Sequence, residues 1–367
     1  MKKMLQIVII LVIFNSLLFY LGWNIWEWLK VAFGFQSTWI FSLIYFIISY
    51  SYLIARGGKY LSFFRPIGSI WFGVIQYGLV IFPIANISVF LLHFLPIALE
   101  NIIFWTGIVV ILLLFVIFTY GIFNAYSTVV RKYQITVPKK HGTRNSLRVA
   151  VASDMHFGRL SGVSHVKRLV RNVNDIKPDI ILLPGDIIDD ELKPFVEKQM
   201  GLIMRELKAP LGVYGVLGNH EYYGGDLFAF SEEMKKNNIT ILMDEVVTIE
   251  KTFYLVGRND KTDRKRKSFN NLLEGIGNSL PIIAMDHQPF ELRQAQENGV
   301  DILLSGHTHR GQMVPNHLIT RKMYELDWGY LKKEQLHAFV SSGFGFWGPP
   351  IRIGSRSEIL QIDVDFV

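Results

Sequence analysis

The chain has no cysteine. Disulfides, zinc–thiolate sites and thiol nucleophiles are thereby excluded. The compartment stays open, since a reduced cytosol and a bacterial exterior both suit such a chain. Charge is scarce before about Tyr126, where Leu, Ile, Phe and Trp dominate. The apolar stretches there lack the buried ionisable cluster of a transporter. No small-residue cleavage site follows the first stretch, where Gly22, Trp23, Asn24, Ile25 and Trp26 stand, and there is no twin-arginine signal. Lys2, Lys3 and the apolar run after them therefore read as a retained anchor rather than a cleaved signal.

What is present divides in two. The 367 residues suffice for about two domains. Half of them are hydrophobic, an excess concentrated before about residue 126. A membrane-crossing helix needs about 20 mostly apolar residues, and four stretches are expected to qualify, at about 4–21, 38–55, 70–95 and 102–123. Pro83 and Asn86 suggest a kink in the third. Lys and Arg alternate between loops: Lys2 and Lys3; then only Lys30 opposed by Glu27; then Arg56, Lys59 and Arg65; then Glu100 alone; then Arg131, Lys132, Lys139, Lys140, Arg144 and Arg148. With four spans, the positive-inside rule puts both termini and the soluble half in the cytoplasm of a multi-pass cell-membrane protein. Trp23, Trp26 and Trp28 fall where an outer aromatic belt belongs. Topology explains the net charge of +7 better than a nucleic-acid partner does. The plain role for residues 1–125 is an anchor in the lipid bilayer; the sharper one is holding a lipid substrate or sensing a ligand. Residues 126–146 read as a basic linker, and a soluble domain fills 147–367.

In that domain short apolar runs alternate with amphipathic stretches. Strands are expected at 147–153, 180–183, 212–217, 240–243, 246–249, 253–256, 280–285, 302–305, 338–342 and 359–364, with helices at 164–175, 191–207, 227–236 and 291–298. Such alternation implies a sheet covered by helices, with ligands bound beyond the carboxyl ends of its strands.

Polar residues of one chemical kind follow these strands: Asp154 and His156; Gly185-Asp186-Ile187-Ile188-Asp189; Gly218-Asn219-His220-Glu221; Asp286 and His287; Gly306-His307-Thr308-His309. A single histidine there would be structural or solvated. Five clusters at one edge converge on a site of imidazole nitrogens and carboxylate or amide oxygens, which suits Mn, Fe or Zn. A carboxylate bridging two ions about 3.5–4 Å apart would complete a two-metal hydrolytic centre.

Together these blocks resemble the calcineurin-like metallophosphoesterase superfamily, over about Arg148 to Gln312. Gly311-Gln312 and the loop from Gly343 to Arg356 look like its membrane-associated bacterial branch. The resemblance implies a four-layer αββα sandwich following an all-α transmembrane region. It implies one metal on Asp154, His156, Asp186 and His309, and another on Asp186, Asn219, His287 and His307, with Asp186 bridging. His220 would be the general acid or a charge stabiliser, oriented by Asp189. The reaction would be in-line attack of a metal-bridging hydroxide on a phosphate ester or pyrophosphate, a lipid-linked one being attractive for an anchored enzyme.

Weaker signals flank these. Arg258 after a strand, Phe346 and Trp347 in a Gly-rich aromatic loop, and Arg352 are candidate substrate contacts, each weighed against plain packing or an exposed turn. The basic run Lys261–Lys267 is a solvated loop, or a lipid-headgroup contact, with nucleic acid ranked last. His93, His141, His165, His317 and His337 have no motif context and are taken as structural. The alternatives to an enzyme are a non-catalytic module of the same fold and a membrane sensor; an intact ligand set with His220 argues against the first.

Overall fold

A computed structural model describes residues 2–57, 61, 63–139, 144–277 and 279–367. Lys59, Lys140 and His141 lie outside the described residues. The chain forms two compact units, one of residues 1–121 with 348–351, the other of residues 122–347 with 352–367.

The first unit is helical: α1 (Lys2–Phe33), α2 (Thr38–Ser49), α3 (Ser51–Ile54), α4 (Phe64–Leu92) and most of α5 (Leu99–Tyr126). Its outward side chains are apolar, the inverse of a water-soluble surface. Among the described residues, three helices (α1, α4, α5) are long and apolar enough to cross a membrane. The stretch expected to span at 38–55 is divided at Tyr50 into α2 and α3. α2 has 12 residues and ends at Tyr50, whose ψ of 7° leaves helical geometry. At 1.5 Å per residue, α2 is about 18 Å long, against a hydrocarbon core of about 30 Å. α4 runs on through Pro83 without interruption. Small residues let the helices approach: a Cβ on Gly107 would lie 1.9 Å from Trp28. Trp28 Nε1 donates to the Phe104 carbonyl at 3.1 Å, joining α1 to α5.

The second unit has two six-stranded sheets. The first runs β1 (Val129–Val137), β12 (Glu358–Phe366), β2 (Ser146–Val151), β3 (Ile180–Pro184), β4 (Val213–Val216), β5 (Ile239–Ile241). The second runs β10 (Gly329–Lys333), β11 (Leu336–Val340), β9 (Ile302–Ser305), β8 (Ile282–Met285), β7 (Phe253–Gly257), β6 (Glu245–Ile249). Both faces of the central strands are buried, as for parallel sheets covered on each side. Val149 and Val151 of β2 face inward, packing with Leu182, Leu255, Ile283 and Leu304 between the sheets. Ala150 faces outward onto α6 (Val163–Ile176) through Val166 and Leu169. On the far side Leu292 and Ala295 cover Ala284 and Leu303. The layers are helix, sheet, sheet, helix, the expected αββα sandwich.

The linker expected at 126–146 is corrected. Its residues 129–137 form β1, paired in parallel with β12 along its full length. The helix expected over 191–207 is two short helices, Leu192–Glu197 and Met200–Met204, separated by Gln199 with a φ of 51°.

Candidate metal centre

Strands β2, β3 and β4 run parallel in one sheet, and β8 and β9 in the other. Their carboxyl ends therefore share one edge, and the residues following them meet there. Asp154, His156, Asp186, His307 and His309 all have positive φ, between 46° and 69°. Non-glycine residues hold that conformation at a cost that surrounding structure must offset, and such strain clusters at functional sites. Two glycines make the turns possible. Gly185 has a φ of 85°, and a Cβ there would sit 2.5 Å from His287 Nδ1. A Cβ on Gly218 would lie 2.2 Å from Asp186 Oδ1.

Asp186 occupies the middle. Its Oδ2 is 3.2 Å from His287 Nε2 and 3.8 Å from His156 Nε2. Its Oδ1 accepts the His220 backbone N–H at 3.0 Å. On one side, His156 Nε2 and His309 Nε2 stand 2.9 Å apart, with Asp154 Oδ1 3.7 Å from the latter. On the other, Asn219 Oδ1 is 3.3 Å from His287 Nε2, and His307 lies close by. Two groups, Asp154–His156–His309 and Asp186–His287–His307, are each tight enough to hold a cation.

The supporting bonds fix these side chains. His287 Nδ1 donates to the Pro184 carbonyl at 2.8 Å, which leaves Nε2 facing Asp186. The His307 N–H donates to Asp154 Oδ1 at 2.7 Å. Burial holds His156 and His309 well below the usual imidazole value, and burial with the neighbouring His287 charge pushes His307 down to about 4. Neutral imidazoles are what a cation needs. Burial pulls His287 down, but the Asp186 charge and hydrogen bond override it and raise the ring well above its usual value. Burial lifts the Asp154 carboxyl to about 6. Buried carboxylates, an amide oxygen and imidazoles with no sulfur form a donor set that fits divalent cations.

Beside this cage, burial lowers His220 while a hydrogen bond to Asp190 and the charges of Asp186, Asp190 and Asp189 raise it, to about 9. Nδ1 donates to Asp190 at 2.7 Å, whereas Asp189 Oδ1 is 3.9 Å away. The partner expected at Asp189 is therefore its neighbour Asp190. The two adjacent carboxylates were indistinguishable by residue type, and the left-handed backbone of Asp190, with a φ of 56°, turns it toward the imidazole.

Glu221 and Gln312 were missed as site residues. Glu221 is buried and accepts N–H groups from Gly218 at 2.7 Å, Asp186 at 3.1 Å and Ile188 at 2.9 Å. It ties together two of the ligand turns, and burial pushes its carboxyl up to about 7. Its place at the third residue of a short helix led by Gly218 is the capping position that could have revealed it. Gln312 holds the Trp347 backbone from both sides, donating to its carbonyl and accepting its N–H, each at 2.9 Å.

Three of the four expected substrate contacts are corrected. Arg258 is buried between Asp286, at 3.0 Å, and Glu291, and its guanidinium lies 4.4 Å from the centre of the Phe269 ring. Arg352 is fully buried, donating to the carbonyls of Ser342 at 2.7 Å and Gly345 at 2.6 Å. Phe346 is buried against Tyr126 and His165. Trp347 alone stays open, 59% exposed with its ring 6.4 Å from His220. Tyr223, 65% exposed and 5.6 Å from the same imidazole, was not anticipated. In the basic run Arg266 pairs with Asp286 and Glu291 and Lys261 lies over Phe290, while Lys261, Arg264, Lys265 and Lys267 are exposed.

Residues 147–311 match the profile of the calcineurin-like phosphoesterases. An uncharacterized metallophosphoesterase of Aquifex aeolicus is 31% identical over 67% of this chain and 95% of its own. The chain belongs to the calcineurin-like phosphoesterase family. A "Transmembrane protein with metallophosphoesterase domain" of Danio rerio is 32% identical over 67% of this chain and 60% of that one. A metallophosphoesterase of Helicobacter pylori is 34% identical over 59% of each chain. This chain thus spans about 60% of the length of the last two relatives. It is a family member whose described residues include three apolar helices long enough to cross a membrane.

Proposed function

We propose that this phosphoesterase uses two divalent cations to hydrolyse a phosphate ester or pyrophosphate with an apolar leaving group, a lipid-linked one included. The observation that carries this is Asp186 Oδ2 standing between His156 and His287, within reach of donors on both sides. Asp154, His156, Asp186 and His309 would hold one cation, and Asp186, Asn219, His287 and His307 the other. Two such cations would supply neutralisation of the phosphoryl oxygens and activation of the attacking water.

The chain's own residues account for the rest. His220, kept protonated by Asp190, has a proton to give to the departing oxygen. Glu221 holds the turns that carry Asp186 and Asn219. Trp347 and Tyr223 flank His220 on the solvent side, so a leaving group receiving that proton meets aromatic surface.

Orientation belongs to the same reading. Lys and Arg concentrate at residues 2–3, 56–65 and 131–148, which favours a cytoplasmic catalytic domain. That register needs the α2–α3 stretch to return the chain across the bilayer; at 1.5 Å per residue it is about 25 Å long.

Hydrolysis of bis-p-nitrophenyl phosphate and p-nitrophenyl phosphate by the full chain in detergent with Mn²⁺ tests the reading. Metal-dependent turnover abolished in Asp186→Ala supports it. A folded, metal-loaded protein inert toward both esters and toward a lipid pyrophosphate would point to the non-catalytic module instead.

A further inference from the structure

The helix His317–Met323 has no buried residue. Leu318 and Ile319 are each 60% exposed and Met323 56%, with Arg321 and Lys322 exposed between them. Apolar side chains this open, so close in sequence and mixed with cations, are out of place on a surface meant for water.

Hydrogen bonds tie this helix to the place where the chain leaves α5. Thr320 Oγ1 donates to Asp327 Oδ2 at 2.7 Å. The next residue, Trp328, donates its Nε1 to Glu358 at 3.0 Å. Glu358 is the register partner of Val129, the first residue of β1, and pairs with Arg131. Arg131 and Arg310 both lie over the Trp328 ring, their guanidinium carbons 4.8 and 3.9 Å from its centre. Only Ser127 and Thr128 separate β1 from the end of α5, an apolar helix of 28 residues. An extended residue advances the chain by about 3.5 Å at most. If α5 crosses the bilayer, the start of β1 lies within about 7 Å of the point where α5 emerges.

We propose that the helix His317–Met323 lies in the headgroup layer of that membrane. Leu318, Ile319 and Met323 enter the acyl boundary, while Arg321, Lys322 and Arg310 meet anionic headgroups. An amphipathic segment with cations beside its apolar face is the form such contacts take, and each cation near an anionic leaflet adds about 1 kcal/mol. A bilayer is favoured over a protein partner because hydrogen bonds link this helix to the start of β1, two residues after an apolar helix of spanning length, and because Arg321 and Lys322 are exposed beside the apolar side chains. The contact would bring the turn carrying His309 close to the lipid surface. The proposal goes beyond the hydrolytic reading and is read without any measure of turnover.

Because the chain has no cysteine, one introduced cysteine labels a single place. The full chain carrying Ile319→Cys, or Lys236→Cys as a control on the helix beside the opposite sheet edge, is labelled with an environment-sensitive fluorophore. Each is reconstituted at about one chain per vesicle in phosphatidylcholine with and without phosphatidylglycerol. The expected result is a blue-shifted Ile319→Cys label, quenched by lipid-borne spin labels and shielded from aqueous iodide, with the Lys236→Cys label showing the reverse. Adding Arg321→Glu and Lys322→Glu should weaken the lipid quenching mainly in phosphatidylglycerol vesicles. A label at position 319 as open to iodide as the control and blind to the lipid quencher overturns the proposal. Shielding that arises only when chains are crowded overturns it as well, in favour of an interface between copies.

Discussion

The cage and the rim of this site are built on opposite plans. In the cage, Asp154, Asp186 and His287 are buried and each is fixed by a named bond. Several of its residues are held in left-handed backbone that only a rigid surround sustains. On the rim, Trp347 and Tyr223 stand mostly in solvent, and Gln312 holds Trp347 through its main chain. A cage of that kind suits a demand common to every substrate, the holding of cations. An open rim suits a demand that differs between substrates, the recognition of the leaving group.

The largest expected effect breaks the cage. Asp186→Ala removes the carboxylate between both halves, and hydrolysis of either nitrophenyl ester should fall to the uncatalysed rate, checked by initial rates at saturating Mn²⁺. Next is His220→Ala, where losing a general acid should lower kcat by about 10²–10⁴-fold. The fall should be smaller for nitrophenolate, which needs little protonation, than for an alkyl phosphate.

Glu221→Ala acts one step behind the ligands. It strands three buried N–H donors, each costing about 1–3 kcal/mol. Weaker metal retention, by about 10–100-fold, should accompany the lower thermal midpoint. Dialysis followed by metal analysis would check it. An unchanged midpoint would mean the ligand turns stand without this carboxylate.

Smaller and sharper is the contrast of Asp190→Asn with Asp189→Asn. A charge-assisted hydrogen bond contributes roughly 1.5–3 kcal/mol, or about 10–100-fold in kcat. That loss should follow Asp190→Asn and be milder for Asp189→Asn; the reverse order would restore Asp189 as the partner of His220. The smallest effect belongs to the rim. Aromatic contacts are worth about 0.5–1.5 kcal/mol, so Trp347→Ala should raise KM by about 2–10-fold for an aryl ester and leave that of a methyl ester alone.

The same contrast explains what the sequence disclosed. The expected ligands Asp186 and His307 follow strands whose burial writes an apolar run just before them, so local pattern sufficed to bring them together. Glu221 and Asp190 act on backbone groups and on one neighbour, and their residue types do not announce it. Arg258 and Arg352 look like phosphate contacts by type, yet their direction is set by Asp286, Glu291 and loop carbonyls that come from elsewhere in the chain. β1 was hidden because its partner β12 is over 200 residues away and Arg131, Lys132 and Gln134 interrupt its apolar pattern. In the membrane half, composition marked the apolar stretches, but the break at Tyr50 that shortens α2 has no proline or glycine to signal it.

The central claim is that the cage holds two cations with Asp186 between them. Metal-free full-length protein in detergent would be equilibrated with Mn²⁺, and bound metal counted beside the Asp186→Ala variant. The account predicts two ions per chain, with the variant losing at least one together with all hydrolysis. No bound metal in a folded protein, or an Asp186→Ala variant that keeps both ions, would contradict it.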